Sequence, residues 1–500
     1  MSRSHLIVRL LAIVLLGSLM AGSLMTPAAG SYAAAGDAAP PRPALQAAAS
    51  PLPGICSESN RFGFGLRGWT IAGYDVDPLQ AGWYHNFGTI PAPERPGGMA
   101  YVQTIRLSPD GPFADRACST CPTWDQLEIM IDLNPGNWWM IGNEPDRQDL
   151  IPADRYAELY HAFYTFIKAH DPSSLIGTGG VVQPTPIRLQ YLDLILDAYR
   201  SQNDGAPMPI DVWNIHNYVL REGEGWGGGI PPGTDPALAM DEDDEPPYDL
   251  TTHDNLELWT GHIVAMRAWM RDRGYRDRPL IITEFGILMP EIYLYDYDRV
   301  RTFMLATFDW LRTATDPETG YAPDGNRLVQ AWAWYSLNDP AFEGWTSWNH
   351  LFDPTTKAIT ALGQDFAAYT APLTQPYNGT VDVQIEALGL SLPEPEGGDP
   401  VTVTVTALVI NTGASPAQNT LIRFERDGEL AGEVTIPTLQ PGAKHSVAVK
   451  WPDLALGAKH QVVVRADPEG ILDDCNPYNN VRSAQLLVTH IRSYLPLIRR

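Results

Sequence analysis

Short apolar runs with the character of β-strands recur eight times along the sequence. They span residues 61–66, 82–87, 101–107, 137–143, 175–182, 210–219, 279–287 and 327–337. Helical patterns separate most of the later runs, with apolar residues at helical spacing after Tyr156 and after Val300. Eight strands that alternate with helices predict an α/β fold, namely a (β/α)₈ TIM barrel over residues 56–372. The first three units are less regular than the others.

From about Val381 the sequence changes to alternating β-branched runs that turn residues divide. This pattern is typical of a small all-β immunoglobulin-like sandwich, predicted over residues 381–489. An Ala/Pro-rich segment, residues 36–55, predicts an extended tether before the barrel. The last segment, residues 490–500, is a short tail with no predicted role. Because the change of pattern near residues 370–380 is sharp, we expect the barrel to fold without the sandwich.

The first 35 residues have the form of a secretory signal peptide. Arg3 and Arg9 precede an apolar run from Leu10 to Met25, and small residues follow it. The run is short and broken by glycines, which disfavours a membrane span, although an uncleaved anchor is the alternative. We therefore expect a secreted or cell-surface protein.

Charge and cysteine content narrow the classes of ligand. A net charge of −25 disfavours nucleic-acid binding, because phosphate backbones are anionic, and is compatible with an uncharged polysaccharide. Cys118 and Cys121 have the spacing of a zinc half-site, but no second pair completes it, so a local disulfide is expected. The sequence does not fix the partner of Cys56. The acidic run at residues 241–245 predicts a solvated loop, with a structural calcium site as the alternative. We expect no catalytic metal and no cofactor.

Two glutamates end the fourth and seventh predicted strands. Glu144 lies in Ile-Gly-Asn-Glu-Pro-Asp and Glu284 in Ile-Ile-Thr-Glu-Phe-Gly. The carboxyl ends of barrel strands line the active-site face, so the curvature of the barrel brings the two side chains together. Cleavage of a glycosidic bond needs one carboxyl group to protonate the leaving oxygen and a second to attack carbon or activate water. The pair predicts a glycosidase, with a non-catalytic carbohydrate-binding or adhesion protein as the rival.

The two glutamate motifs resemble those of glycoside hydrolase clan A, whose members are retaining (β/α)₈ enzymes. The resemblance implies that Glu144 is the acid/base, that Glu284 is the nucleophile and that Asn143 contacts the sugar 2-hydroxyl. With the His216-Asn-Tyr218 motif, the pattern is most similar to the β-1,3-glucanases of glycoside hydrolase family 128. It implies that Tyr218 or His216 hydrogen-bonds Glu284 and holds it ionised.

That resemblance also implies the reaction. The substrate is expected to be a β-linked polysaccharide or oligosaccharide, with a β-glucan favoured, and a transglycosylase would carry the same residues. A long acidic insertion, residues 221–249, departs from the compact form of family 128.

The predicted sandwich resembles a second family. Its Asn-Thr-Gly at residues 411–413, the run that ends at Gly428, the turn at residues 439–442 and the pair Asn479-Asn480 are similar to those of CARDB domains. The resemblance implies contact with a cell surface or matrix and no chemistry.

Aromatic and basic side chains supply the remaining candidates. Trp332 and Trp334 lie two apart on the eighth strand and therefore share a face. We expect one of them to stack on a sugar ring, with packing inside the barrel as the alternative. Arg67 and Arg106 either orient a sugar or a catalytic carboxylate, or form buried structural ion pairs.

Overall fold

The computed structural model describes residues 52–488, apart from residues 224–226, 342–343, 392–400 and 456. The predicted signal peptide, most of the tether and the tail lie outside the described residues. Among the helices that are described, none has both the length and the apolar character needed to cross a bilayer.

Parallel strands close into a barrel whose third strand is interrupted at Val102. The strands are β1 (Phe62–Gly65), β2 (Trp83–His85), β3 (Ala100–Tyr101), β4 (Gln103–Ile105), β5 (Trp138–Ile141), β6 (Leu175–Thr178), β7 (Trp213–His216), β8 (Leu280–Phe285) and β9 (Ala331–Trp334). Their order is β3-β2-β1-β9-β8-β7 in one sheet and β4-β5-β6 in the other. Parallel bridges from Gly177 to Val212 and from Val181 to Ile215 join β6 to β7. All eight predicted strands are present, and the predicted fold class is confirmed.

Helices surround the later strands. They are α1 (Trp124–Leu133), α2 (Ala153–His170), α3 (Pro186–Gln202), α4 (Leu256–Asp272), α5 (Tyr297–Thr313) and α6 (Ala361–Thr370). The first two connections carry the short 3₁₀ turns Asp77–Leu79 and Pro96–Gly98 where an α-helix would ordinarily stand. This replacement explains why the first units of the sequence pattern are irregular. A capping box of Thr123 and Gln126 fixes the start of α1.

Apolar side chains fill the barrel on one face of each strand and pack on the helices from the other. Trp138 and Met140 of β5 point into the barrel, whereas Trp139 packs outward on the helix layer. The rings of Trp138 and Trp83 lie 5.7 Å apart inside the barrel. A Cβ atom at Gly63 would lie 2.6 Å from the Trp83 indole, so glycine on β1 makes room for that ring.

Trp332 and Trp334 lie on the outward face of β9 and are fully buried. Trp332 packs edge-on against Phe62, and Trp334 packs edge-on against Phe285. The indole N–H of Trp334 donates to the carbonyl of Asn349 at 2.7 Å. Neither ring has surface left on which a sugar can stack. The expectation of a sugar-contacting tryptophan at these positions is corrected: both residues belong to the core between barrel and helices.

The second domain is an antiparallel sandwich of two sheets. Its strands are β10 (Val383–Ser391), β11 (Val401–Asn411), β12 (Ala417–Arg426), β13 (Glu429–Leu439), β14 (Lys444–Leu454), β15 (Lys459–Ala466) and β16 (Val481–Leu487). One sheet has the order β10-β11-β14 and the other β13-β12-β15-β16. Asp427 and Gly428, with φ of 54° and 86°, form the tight turn between β12 and β13. Alternating apolar residues of both sheets form the core.

Two disulfides join the four cysteines. Cys118 and Cys121 form the local disulfide that the sequence predicted. Cys56, just before the barrel, pairs with Cys475 of the sandwich across a sequence separation of 419 residues. The two domains are therefore linked covalently beside their connecting segment, where the amide of Tyr377 donates to the carbonyl of Cys56 at 2.8 Å and the amide of Cys475 donates to that of Val381 at 2.9 Å.

A loop of the sandwich closes the amino-terminal end of the barrel. Tyr478 belongs to the apolar cluster inside the barrel, and its hydroxyl donates to the carbonyl of Gly136 at 2.9 Å. The side-chain amide of Asn476 donates to the carbonyl of Gly98 at 3.1 Å. Gly98 and Gly136 precede β3 and β5, so these contacts lie at the end of the barrel where the strands begin. Such contacts argue against the expectation that the barrel folds alone.

Candidate active site

Glu144 follows β5 at a sharp turn in the backbone. Its φ of 48° lies in the left-handed region, which costs a residue with a side chain about 1 to 3 kcal/mol. The carbonyl of Glu144 accepts from the amides of Arg147, Gln148 and Asp149 at 3.1, 2.9 and 3.2 Å. These three bonds hold the strained backbone, and the turn directs the Glu144 carboxyl group over the carboxyl end of the barrel.

Glu284 and His216 end two neighbouring strands beside it. His216 Nδ1 lies 3.1 Å from Glu144 Oε1 and 3.7 Å from Glu284 Oε2. One ligand atom from each of the three residues lies within 4.8 Å of the other two. A Cβ atom at Gly180 would lie 2.5 Å from the His216 ring, so a glycine after β6 gives the imidazole its place between the carboxylates.

Each carboxylate has a further donor of its own. The hydroxyl of Tyr218 donates to Glu284 Oε1 at 2.6 Å. The Arg147 guanidinium donates to Glu144 Oε2 at 3.4 Å. Glu144 is 2 % exposed and Glu284 is 7 % exposed, so both carboxylates are largely removed from water. Their donors come from side chains of the loops after β5 and β7.

The charges of the site act on one another. Burial favours the neutral form of Glu144, but the hydrogen bond and charge of His216, with the charge of Arg147, outweigh it and lower the pKa of Glu144. Burial and the Glu144 charge raise the pKa of Glu284, against the opposing effects of His216 and Tyr218. Burial opposes the charge on His216, yet the two carboxylates raise its pKa. Tyr218 and His216 thus contact Glu284 as predicted and favour its ionised form, but burial and the Glu144 charge outweigh them and leave the pKa of Glu284 raised.

Asn143 lies directly before Glu144 in the chain. The Asn143 amide is buried and donates to Gln148 Oε1 at 3.3 Å, within the loop that carries Glu144. Its predicted contact with a sugar stays a prediction.

Arg67 and Arg106 both form ion pairs. Arg67 pairs with Asp339 at 2.9 Å, and Arg106 pairs with Asp149 at 2.7 Å. The Arg67 side chain is 53 % exposed and that of Arg106 is 36 % exposed, so these are not the buried ion pairs of the structural alternative. Neither pair includes one of the two central glutamates.

Two residues at this centre were not predicted from the sequence. Arg147 contacts Glu144 because the chain turns tightly after Pro145. A basic residue three positions after Glu144 is the sequence feature that could have predicted this contact. His85 ends β2, and its Nε2 lies 2.7 Å from the carbonyl of Thr283. Burial lowers the pKa of His85 to about 3, so this imidazole is neutral. No sequence signal distinguishes His85 from an ordinary core histidine.

The same three central side chains are also close enough to surround one divalent cation. Two carboxylates and an imidazole are common metal ligands. However, the Arg147 guanidinium already donates to Glu144, and the Tyr218 hydroxyl already donates to Glu284. This donor set suits a proton-transfer pair better than a cation, and the absence of a catalytic metal stays a prediction.

The acidic insertion contacts the site through its glycine-rich part. The described residues of the run at 241–245 are intermediate or exposed, and Arg221 forms an ion pair with Glu242 at 2.5 Å. The Arg147 side chain donates to the carbonyl of Gly227 at 2.8 Å. The insertion therefore lies beside Glu144, while its acidic run faces solvent.

Comparison with known proteins identifies the C-terminal domain. The CARDB family model matches residues 381–484, which confirms the predicted resemblance for the sandwich. A putative cell surface protein from Methanosarcina acetivorans has a similar domain, with 20 % identity, coverage of 23 % of this chain and 99 % of that one, and a TM-score of 0.20. No curated protein matches this chain.

Solved structures similar to the larger part of the chain include two members of glycoside hydrolase family 128. A subgroup II endo-β-1,3-glucanase from Pseudomonas viridiflava is 16 % identical, with coverage of 62 % of this chain and 98 % of that one and a TM-score of 0.41. A subgroup V exo-β-1,3-glucanase from Cryptococcus neoformans is 14 % identical, with coverage of 62 % and 99 % and a TM-score of 0.34. These likenesses are distant and concern the fold.

Proposed function

We propose that this chain is a secreted, retaining glycoside hydrolase that acts on a β-linked polysaccharide, with a β-glucan favoured. The observation that carries the proposal is the buried pair of Glu144 and Glu284, with carboxylate oxygens within 4.8 Å of each other at the carboxyl ends of β5 and β8. Carboxyl groups about 5 to 5.5 Å apart are typical of retaining enzymes, whereas inverting enzymes need roughly 6.5 to 9.5 Å to admit a water. The short separation favours direct attack by one carboxylate.

In the first step, the carboxylate of Glu284 attacks the anomeric carbon. The bond from that carbon to the glycosidic oxygen breaks, and Glu144 gives its proton to the departing oxygen. Glu284 then carries the glycosyl group as an ester. The Tyr218 hydroxyl, on Glu284 Oε1, orients the attacking carboxylate.

In the second step, Glu144 acts as a base. It removes a proton from water, whose oxygen bonds to the anomeric carbon as the ester bond to Glu284 breaks. Glu144 ends the cycle protonated and Glu284 ends it ionised, with the configuration retained. Asn143, beside Glu144, is the candidate for contact with the sugar 2-hydroxyl.

The productive form has its proton on Glu144 and its negative charge on Glu284. In the free protein the surroundings favour the opposite distribution, because His216 and Arg147 lower the pKa of Glu144 while burial raises that of Glu284. The two groups titrate as a pair. We expect a bell-shaped dependence of kcat/KM on pH, whose limbs belong to the pair, with loss of activity when both are protonated or both ionised.

A panel of polysaccharides tests the proposal directly. Purified protein should release reducing ends from a β-glucan, and Glu284→Ala should abolish release while circular dichroism and the melting temperature stay unchanged. Glu257→Ala is the matched control, because Glu257 is an exposed glutamate in the first turn of α4. A 2-deoxy-2-fluoro glycoside should label the peptide that contains Glu284. Labelling of another residue, or an inverted product anomer by NMR, contradicts the assignment.

The same assay separates the alternatives. A non-catalytic carbohydrate-binding or adhesion protein would bind the glucan without release of reducing ends. A transglycosylase would give longer products by mass spectrometry. Activity lost on dialysis against EDTA and restored by a divalent cation would overturn the metal-free mechanism.

Export is part of the proposal. The signal-like first 35 residues, the two disulfides and the CARDB domain support a secreted or cell-surface location. Mass spectrometry of the exported protein should find a new N-terminus within the predicted signal region or just after it. Contact of the sandwich with a cell surface or matrix is likewise proposed.

A further inference from the structure

The Arg147 side chain contacts both Glu144, the proposed acid/base, and the acidic insertion. One guanidinium nitrogen lies 3.4 Å from Glu144 Oε2, and Nε donates to the carbonyl of Gly227 at 2.8 Å. Arg147 is partly exposed, with 38 % of its side chain accessible, whereas Glu144 is buried. The carbonyl of Gly227 therefore holds a cation against the carboxylate.

A second arginine fixes the described part of the insertion to the barrel. Arg188 of α3 is fully buried, forms ion pairs with Asp146 and Glu222, and donates to the carbonyls of Gly228 and Gly229. Three consecutive glycine carbonyls thus accept from two guanidinium groups. The position of Gly227 is set by buried contacts.

Glycine is required where these carbonyls turn inward. Gly227 has a φ of +107°, and a Cβ atom there would lie 2.1 Å from the carbonyl oxygen of Arg221. A Cβ atom at Gly228 would lie 2.9 Å from the Arg188 guanidinium. A larger residue at Gly227 would displace the carbonyl that Arg147 contacts.

Charged groups from several elements face Glu144. His216 contacts Oε1, while Arg147 contacts the other oxygen, Oε2. Glu284 on β8 and Asp146 in the same loop are the neighbouring acidic groups, and Arg188 forms an ion pair with Asp146 at 2.7 Å. Both oxygens of Glu144 therefore have a donor that stabilises the ionised carboxylate.

Resting on the proposed function, we infer that Arg147 is a positioning residue that favours the base form of Glu144 in the second step, and that the insertion sets its place through the carbonyl of Gly227. In the glycosyl-enzyme, Glu284 is an uncharged ester, so Arg147 and His216 determine how readily Glu144 ionises. The Arg147 guanidinium therefore favours hydrolysis of the glycosyl-enzyme more than formation of the glycosyl-enzyme.

The test uses a dinitrophenyl glycoside, whose good leaving group makes the second step limit kcat. Ionised Glu144 is then required, so the acidic limb of kcat against pH reports its pKa. Removal of a cation raises the pKa of a carboxyl group, so Arg147→Met should move that limb upward by about 0.5 to 1 pH unit, a modest shift because Arg147 is partly exposed. Below the limb, kcat should fall by about three- to tenfold. Above its acidic limb, kcat/KM should change less than kcat does at low pH, and Arg147→Lys should restore part of the shift.

Gly227→Ala should move the limb in the same direction. Gly233→Ala is the matched control, because Gly233 also has a positive φ, +79°, but its nearest neighbour is a Leu194 side-chain atom 3.9 Å away. The inference is overturned if the acidic limb of kcat stays at its wild-type pH in both Arg147→Met and Gly227→Ala. It is also overturned if Gly233→Ala moves that limb as far as Gly227→Ala does.

A second measurement separates this inference from the proposed function. Carboxyl ¹³C NMR of the free protein follows the titration of Glu144 whether or not the chain turns over a glycoside. Arg147→Met should raise the Glu144 pKa in that titration, and an unchanged pKa overturns the inference. Absence of turnover or of Glu284 labelling in the wild-type protein counts against the proposed function instead.

Discussion

The two ends of the barrel are built for different tasks. The carboxyl end holds a buried group of two carboxyl side chains and one imidazole, those of Glu144, Glu284 and His216. The backbone of Glu144 is strained there. At the amino end, Tyr478 of the sandwich closes the barrel with apolar contact and a hydrogen bond, beside the Cys56–Cys475 disulfide. The contacts that hold the two domains together and the proposed reactive residues therefore lie at opposite ends of the barrel. Substitutions at one end should leave the property of the other end unchanged.

The largest expected effect is at the carboxyl end. Glu144→Ala should lower kcat/KM on unactivated glycosides by up to about 10⁴-fold, because general acid catalysis is lost. Dinitrophenyl glycosides should be spared in the first step, and azide should accelerate the second by attack without a general base. The variant should stay folded, because the substitution leaves the contacts at the amino end of the barrel intact. A variant that azide does not rescue, or that unfolds, contradicts the separation of the two ends.

The disulfide between the domains should give the next largest effect. A double Cys56→Ser, Cys475→Ser variant should lose about 3 to 5 kcal/mol of unfolding free energy in urea, because the bond closes a very long loop in the unfolded chain. A double Cys118→Ser, Cys121→Ser variant is the control, with a loss of about 2 kcal/mol expected for its short loop. Both should keep wild-type kcat/KM under folding conditions. Equal losses of unfolding free energy in the two double variants would show that loop length does not determine how much each disulfide stabilises the protein.

Tyr478 should contribute less than the disulfide. Tyr478→Ala should lower the unfolding free energy by about 3 kcal/mol, since a buried ring leaves a cavity in the barrel floor. Tyr478→Phe keeps the ring and loses only the bond to Gly136, so about 1 kcal/mol is expected. Differential scanning calorimetry of both variants checks this order. If Tyr478→Ala melts like the wild type, the sandwich does not support the barrel, and a chain of residues 56–372 should then fold alone.

The last expected effect is a slope of stability with pH, which is small for each pH unit. Burial, with the nearby charge of Asp382, raises the pKa of Asp474 to about 7, above its unfolded value of about 3.9. The stability from its bound proton is complete below about pH 4 and is lost as the pH rises through 7. Urea unfolding should show a decline of about 1 kcal/mol per pH unit in this window. Asp474→Asn should flatten that slope, whereas exposed Asp473→Asn should not; equal slopes in both would contradict the assignment.

The regular part of the fold was predictable because it depends on local pattern. Eight apolar runs identified every barrel strand, and the placement of Glu144 and Glu284 followed from strand ends. The face of Trp332 and Trp334 was not predictable, because both faces of a parallel barrel strand are buried and alternation alone does not distinguish them. The partner of Cys56 and the position of Tyr478 depend on how two domains meet, which no local pattern encodes.

The site itself shows the same limit. Motifs brought out Glu144, Glu284, His216 and Tyr218, and the structure places all four together. Which glutamate has the lower pKa could not be predicted from the sequence, because that order depends on burial and on Arg147.

The closed floor of the barrel has a consequence for how the chain meets its substrate. The sandwich contacts the barrel where the strands begin, at the end opposite the opening that holds the glutamates. A chain fixed by its sandwich would present that opening outward. It would act on polymers arriving from the medium or from a neighbouring cell, and not on the layer that anchors it.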